Sequence, residues 1–187
     1  MTATEDGDIV DLIIGDHRDF EKTFAEFERG GQQPEYRRKL LDHLIAGLTR
    51  HAVAEEQLVY PTAADKADGG KEMVEHELEE HSGAEQRMKD LEDVEPTDPK
   101  FDELVAELIH DLRHHFEEEE SKLLPALRAA CGHDELVELG KGVELAKKVA
   151  PTRPHPSAPD TPPANLLINP GIGIIDRVRD ALSGRAT

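Results

Sequence analysis

The chain has 187 residues, room for one domain of ordinary size with an appendage. Charged residues make up 34% of it and the formal net charge is -19, which weighs against a nucleic-acid groove or an anionic membrane, because like charge repels. A single cysteine, Cys131, excludes an intrachain disulfide or a Cys-held cluster; with no apolar run near the ~20 residues that span a bilayer and an acidic opening without secretion-signal pattern, a cytoplasmic protein is expected.

Four long segments carry helical periodicity. The first is predicted from about Ile9 to Glu28, with Ile13, His17, Phe20, Phe24 and Phe27 on one face and Gly30-Gly31 ending it. The second begins at Pro34, a natural first-turn residue, and passes Leu40, Leu44, Leu48, His51, Glu55 and Leu58 to stop at Pro61. The third follows Gly69-Gly70 and carries Met73, Leu78, His81, Met88 and Leu91. Asp98 then offers an N-cap, and the fourth carries Leu104, Leu108, Leu112, His115, Glu119 and Leu123 toward a kink expected at Pro125. A shorter fifth helix fits Asp134 to Val149. From Pro151 the prolines 151, 154, 156, 159, 162 and 163 describe an extended strap. It leads to the apolar patch Leu166-Leu167-Ile168 and a short amphipathic stretch ending near Leu182. The chain therefore divides into an all-α unit, residues 1–150, and a Pro-rich extension, residues 151–187. The extension either folds back on its own bundle or contacts a partner chain or second copy.

The strongest signal is a repeat at an offset of 64 residues. Asp16-His17 matches Glu80-His81, His51 matches His115, Glu55-Glu56 matches Glu119-Glu120, and Pro61 matches Pro125. His17 precedes His51 by 34 residues, and His81 precedes His115 by the same 34. Acidic matches are cheap in so acidic a chain; matching His-to-His spacings are not. Two helical hairpins related by a pseudo-twofold axis are predicted.

Residues four apart on a helix lie about 40° apart and ~6 Å along its axis. His51 with Glu55, and His115 with Glu119, therefore share a side, and it is the apolar side. His17 sits among Ile13, Phe20 and Phe24, and His81 between Leu78 and Met88. Burying two carboxylates and four imidazoles without partners costs several kcal/mol per charge. A pair of cations answers that cost, and mixed His/carboxylate donors favour iron over zinc or calcium. A lone inward histidine is more often a hydrogen-bonded core residue, and a His/Glu pair more often a surface contact. The repetition over four helices is what argues for metal. His76, roughly 140° from His81, is expected in solvent. His110 and His114 form a competing register with Glu118, which the repeat disfavours. His43, His133 and His155 are expected to be exposed, and Cys131 to be a buried small residue.

These motifs, Asp16-His17, His51 to Glu56 running into Tyr60-Pro61, Glu80-His81, and His115 to Glu119 running into Leu124-Pro125, resemble the hemerythrin-like HHE cation-binding family over roughly residues 8–130. The resemblance implies an up-down four-helix bundle holding two irons (Fe2+/Fe3+), oxo- or hydroxo-bridged, with manganese left open. Carried over by position, it implies His17, His51, His81 and His115 as terminal ligands and Glu55 and Glu119 as bridging carboxylates. The family's oxygen carriers have a further histidine where this chain has Glu85, mirrored by Glu21; both are candidates for additional ligation or support. They also place the last carboxylate five residues after its histidine, so Glu120 competes with Glu119. More carboxylate and less imidazole favour the ferric state, which weakens reversible oxygen carriage. The resemblance implies a non-haem di-iron protein that binds or senses oxygen, nitric oxide or peroxide, or handles iron. Two alternatives stand beside it: a di-iron enzyme with catalase-like peroxide decomposition, in which metal supplies redox and Lewis-acid chemistry, and a structural bundle with incidental metal affinity.

Overall fold

A computed structural model describes residues 7–158 together with 172, 173, 175–177, 179–181 and 183–185. Helix α1, Ile9–Arg29, starts where the Asp8 carboxylate accepts the Asp11 N–H at 3.0 Å, and ends at Gly30 with φ of 65°. Helix α2, Pro34–Ala54, opens on its proline and leads through a π-turn, Glu55–Val59, into α3, Tyr60–Lys66. Helix α4 is Gly70–Glu92. Helix α5, Pro99–Glu118, is capped by Asp98 and continues through a second π-turn, Glu119–Leu123, into α6, Leu124–Ala130. Helix α7, His133–Val149, packs across α1 and α2.

The expected stop at Pro61 does not occur, and the rod also continues past Pro125. In each case the turn before the proline carries one extra residue: the Tyr60 N–H donates to the Glu55 carbonyl, and the Leu124 N–H to the Glu119 carbonyl. A proline ring clashes with the carbonyl four residues back in a regular helix. The wider turn re-sets that ladder, so the rods run on to Lys66 and Ala130. The result is an up-down four-helix bundle of α1, α2–α3, α4 and α5–α6, as the resemblance implies, with α7 as the extra helix. No strand occurs among the described residues, and no helix there is long and apolar enough to cross a membrane.

Two apolar clusters fill the bundle. One joins Phe24, Leu41, Leu44, Ile45, Leu91, Phe101 and Leu108. The other joins Ile9, Ile13, Val59, Tyr60, Leu123, Leu124, Leu136 and Val143. Each such side chain, once fully buried, contributes roughly 1.5–3 kcal/mol. Between them lies a layer of buried histidine and glutamate.

The described part of the strap, residues 151–158, folds back on its own bundle. Arg153 reaches Asp180 at 2.7 Å and Glu92 at 3.1 Å, Thr152 Oγ1 donates to Asp180, and Arg185 pairs with Glu92 and Asp42. The patch Leu166-Leu167-Ile168 and Leu182 lie outside the described residues.

Candidate metal centre

The polar layer is built by the four rods together. His17 comes from α1, His51 from α2, His81 from α4 and His115 from α5, while Glu55 and Glu119 are the first residues of the two π-turns. All six are buried; Glu55, Glu119 and His17 are fully so. Both π-turns fall at the site, as such turns often do.

Every one of the four imidazoles uses Nδ1 on a carboxylate and turns Nε2 inward. His17 Nδ1 meets Glu120 at 2.9 Å, His51 Nδ1 meets Asp16 at 2.9 Å, and His81 Nδ1 meets Glu56 at 3.1 Å. His115 Nδ1 meets Glu80 at 3.0 Å and Glu77 at 2.9 Å. The contacts obey the offset: His51–Asp16 maps onto His115–Glu80, and His17–Glu120 onto His81–Glu56. The acid beside each motif residue thus supports an imidazole from another rod, within the hairpin for Asp16 and Glu80 and across to the other hairpin for Glu56 and Glu120. A carboxylate on Nδ1 fixes the tautomer that leaves the Nε2 lone pair free for a cation.

The inward atoms converge. His17 Nε2 lies 3.3 Å from Glu119 Oε2, and His51 Nε2 lies 3.2 Å from Glu55 Oε2. His81 Nε2 lies 3.5 Å from Glu55 Oε2, His115 Nε2 lies 3.6 Å from Glu119 Oε2, and the last two imidazoles approach to 3.2 Å. Donor atoms of His17, His51, Glu55 and Glu119 gather within 4.8 Å, as do those of Glu55, His81 and His115, and of Glu77, His115 and Glu119. Each of Glu55 and Glu119 therefore reaches both sub-clusters.

The residues fit a pair of cations. His17 Nε2, His51 Nε2, both Glu55 oxygens and Glu119 Oε2 are buried without a hydrogen-bond partner. Each unsatisfied atom costs about 1–3 kcal/mol, more when charged. Donors sharing one cation at ~2.1 Å stand ~3.0–3.4 Å apart at octahedral or tetrahedral angles, close to the spacings here. The electrostatics demand positive charge. Burial works against a protonated His81, but Glu55 and Glu56 outweigh it and raise its pKa to about 9. His115 is likewise raised, with Glu119, Glu77 and Glu80 overcoming burial. Burial pushes the Glu119 carboxyl up, yet His115, His17 and His51 hold it far below the usual range.

Glu120 lies outside the ring of donors, holding His17 and Arg18, so Glu119 and not Glu120 points to the centre. Glu21 points away, bidentate on Arg113 at 3.0 Å. Glu85 accepts the His155 backbone N–H at 2.8 Å. His43 and His133 are exposed as expected, and His110 and His114, of the disfavoured register, are exposed too. His155 is not: its ring bonds Asp176 at 2.9 Å, because the strap returns to the bundle. His76 is half exposed but paired with Glu118.

Two buried polar residues escape the repeat. The Tyr60 O–H donates to Glu119 Oε1 at 2.9 Å and lies 2.8 Å from His81 Nε2, while its mate at the offset is Leu124. Burial pushes the Tyr60 phenol well above its ordinary pKa, with Glu119 and Glu55 adding to it, so it keeps its proton. Glu77, mate of Ile13, adds a third buried carboxylate, its pKa raised by burial. Both were visible only as departures from symmetry.

Asymmetry also sets access. Phe116 stacks on His17 at 4.0 Å and Phe20 stands edge-on to His51 at 5.3 Å. Their mates are Ala52 and Ala84, which with Gly83 help line a cavity of about 210 Å³ beside His81 and His115. Pro151, Arg153 and His155 of the strap form part of its wall.

Residues 8–127 match the family described as Hemerythrin HHE cation binding domain. An uncharacterized hemerythrin-like protein of Schizosaccharomyces pombe is 29% identical over 175 residues, 93% of this chain and 86% of that one. A DNA nickase of Nostoc is 27% identical over 143 residues, 76% of this chain but 40% of the nickase. The crystal structure of a hemerythrin HHE cation-binding domain protein of Mycobacterium kansasii shares the fold, with a TM-score of 0.67 at 20% identity, covering 76% of this chain and 86% of that one. The repeated His/Glu layer and the match over residues 8–127 place this chain in the hemerythrin HHE cation-binding family.

Proposed function

We propose that the buried layer holds two iron ions and that the protein binds a small oxidant, oxygen, nitric oxide or peroxide, at the His81/His115 side. The observation that carries this reading is the set of unsatisfied donors, His17 Nε2, His51 Nε2, Glu55 and Glu119, buried together between the four rods. A structural bundle with no ion would gain stability by replacing them with apolar residues. Iron, when bound, supplies the redox change and Lewis acidity that no side chain offers. The chain's own part is different. Phe116 and Phe20 pack against the His17 and His51 rings, and the cavity reaches the centre past His51, His81 and His115. Tyr60 holds a proton at its phenol oxygen, 2.9 Å from Glu119 and beside the cavity-lining His81.

That proton and a cavity larger than a diatomic molecule favour a second reading, peroxide decomposition. DNA as a substrate, suggested by the name of one relative, is opposed by the net charge of -19. The cytoplasm fits the composition.

Metal analysis of freshly purified protein together with its absorption spectrum tests the proposal. Two irons per chain with an oxo-to-iron charge-transfer band support it; a colourless, folded, metal-free protein overturns it. Bleaching by dithionite with recovery in air points to oxygen binding. Gas evolution from peroxide that is lost in His81→Ala points to the enzyme.

A further inference from the structure

A second metal-ligand pattern lies on the outside of the same two helices. The doublets His114-His115 and Glu118-Glu119 contain the His-x-x-x-Glu spacing twice, one residue apart. A one-residue shift turns ~100° around a helix, so His115 and Glu119 face inward while His114 and Glu118 face out. On the neighbouring α4, His76 and Glu80 repeat the same i, i+4 arrangement. The two helices pack side by side, and this brings the pairs together. His76 Nε2 lies 2.8 Å from Glu118 Oε2 and 3.7 Å from Glu80 Oε1, and His114 Nε2 lies 3.8 Å from Glu80 Oε1. Donor atoms of His76, Glu80 and Glu118 fall within 4.8 Å of one another.

We propose that His76, Glu80, His114 and Glu118 form an outer site for one divalent cation such as Zn2+ or Fe2+. Two imidazoles with two carboxylates on a pair of helices are a borderline donor set of the kind such cations prefer. The pattern is not inherited from the internal repeat: the mates of His76, His114 and Glu118 are Leu12, Arg50 and Ala54. Glu80 belongs to both places. Its Oε1 faces the outer pair, and its Oε2 lies 3.0 Å from His115 Nδ1. An outer cation is therefore one carboxylate and one imidazole away from the buried centre, and next to the cavity that Glu80, His114 and His115 help line. One side chain opposes it: the Lys122 ammonium pairs with Glu118 Oε1 and has to be displaced or share that carboxylate.

The test is a calorimetric titration of the purified full chain with Zn2+, its resident metal having first been measured. One additional equivalent per chain is expected in the wild type. His76→Ala and Glu118→Gln should each weaken it by about tenfold or more, without changing the helical circular dichroism or the resident metal content. Lys122→Met should tighten it several-fold, an effect that a purely structural role of these residues does not give. Equal Zn2+ uptake in wild type and His76→Ala, or no tightening in Lys122→Met, overturns the site. The variants read Zn2+ at His76 and Glu118, outside the buried layer, so their outcome stands whether or not the inner layer is found to hold iron.

Discussion

At the scale of single residues the centre rests on histidine's two unlike nitrogens. A carboxylate at Nδ1 makes the ring more basic and stops it from rotating, so Nε2 is delivered at one place. Glu120→Gln keeps the shape but weakens this grip on His17, and metal affinity should fall roughly 10–100-fold by competition with a chelator. Glu119→Gln removes an inward donor that reaches both sub-clusters, so it should cost more and lower the metal count per chain. Equal losses in the two variants contradict the division of labour between adjacent glutamates.

Protonation gives a second residue-scale prediction. In metal-free protein the folded His81 pKa, about 9, exceeds its ordinary value of 6.5. Its contribution to stability is then complete below 6.5 and disappears as pH rises toward 9. In loaded protein the imidazoles must be neutral, so acidification through about 6.5 favours release instead. Between pH 6.5 and 9 thermal melts should show stability falling with rising pH in the metal-free form and staying level in the loaded one; parallel slopes contradict ligation through His81. The six inward residues were legible in sequence because the repeat marks them. Their supports Asp16, Glu56 and Glu80 were legible as letters of the motif but not as roles, since which nitrogen an acid meets depends on the packing of a distant helix. Tyr60 and Glu77 break the pseudo-symmetry, and no period or spacing points to them.

At the scale of elements, the helices were readable from apolar spacing and their caps, while the passage through two prolines was not. A proline read locally ends a helix; a π-turn is a property of the whole rod and leaves no composition signature. Glycine placement yields a test. A Cβ on Gly70 would meet the Ala63 carbonyl oxygen at 2.0 Å, backbone that side-chain rotation cannot move. Gly70→Ala should therefore cost roughly 1–3 kcal/mol. Gly15, exposed in the middle of α1 with nothing within 4 Å, is the opposite case. There alanine should stabilise by roughly 0.5–1 kcal/mol, since glycine loses more backbone freedom on folding. Denaturant melts of both variants check the pair, and a Gly70→Ala protein as stable as wild type rules out the close α3–α4 approach.

At the scale of the whole molecule, the strap ties the far end of the chain to the bundle and narrows the way to the centre. Glu92 is the shared anchor, taking Lys89, Arg153 and Arg185, while Asp176 takes the His155 ring and the Thr152 and Arg153 N–H groups. Burial would raise the Asp176 pKa, but those partners hold it below the ordinary 3.8. A depressed carboxylate stabilises the docked strap above that value and loses the effect as pH falls through its folded pKa. Glu92 belongs to the bundle and Asp176 to the extension itself, and among the described residues both apolar clusters are composed of residues before Ala150. Ending the chain after Ala150 should consequently leave a folded bundle with its helical circular dichroism, while exposing the cavity wall now made by Pro151, Arg153 and His155. Removal of metal by an external chelator should then be faster than in the full chain, and Arg153→Ala should lie between the two. If the shortened chain unfolds, the strap belongs to the folding unit and the division at 150 fails; if it folds and releases metal at the wild-type rate, the route to the centre does not pass beneath the strap.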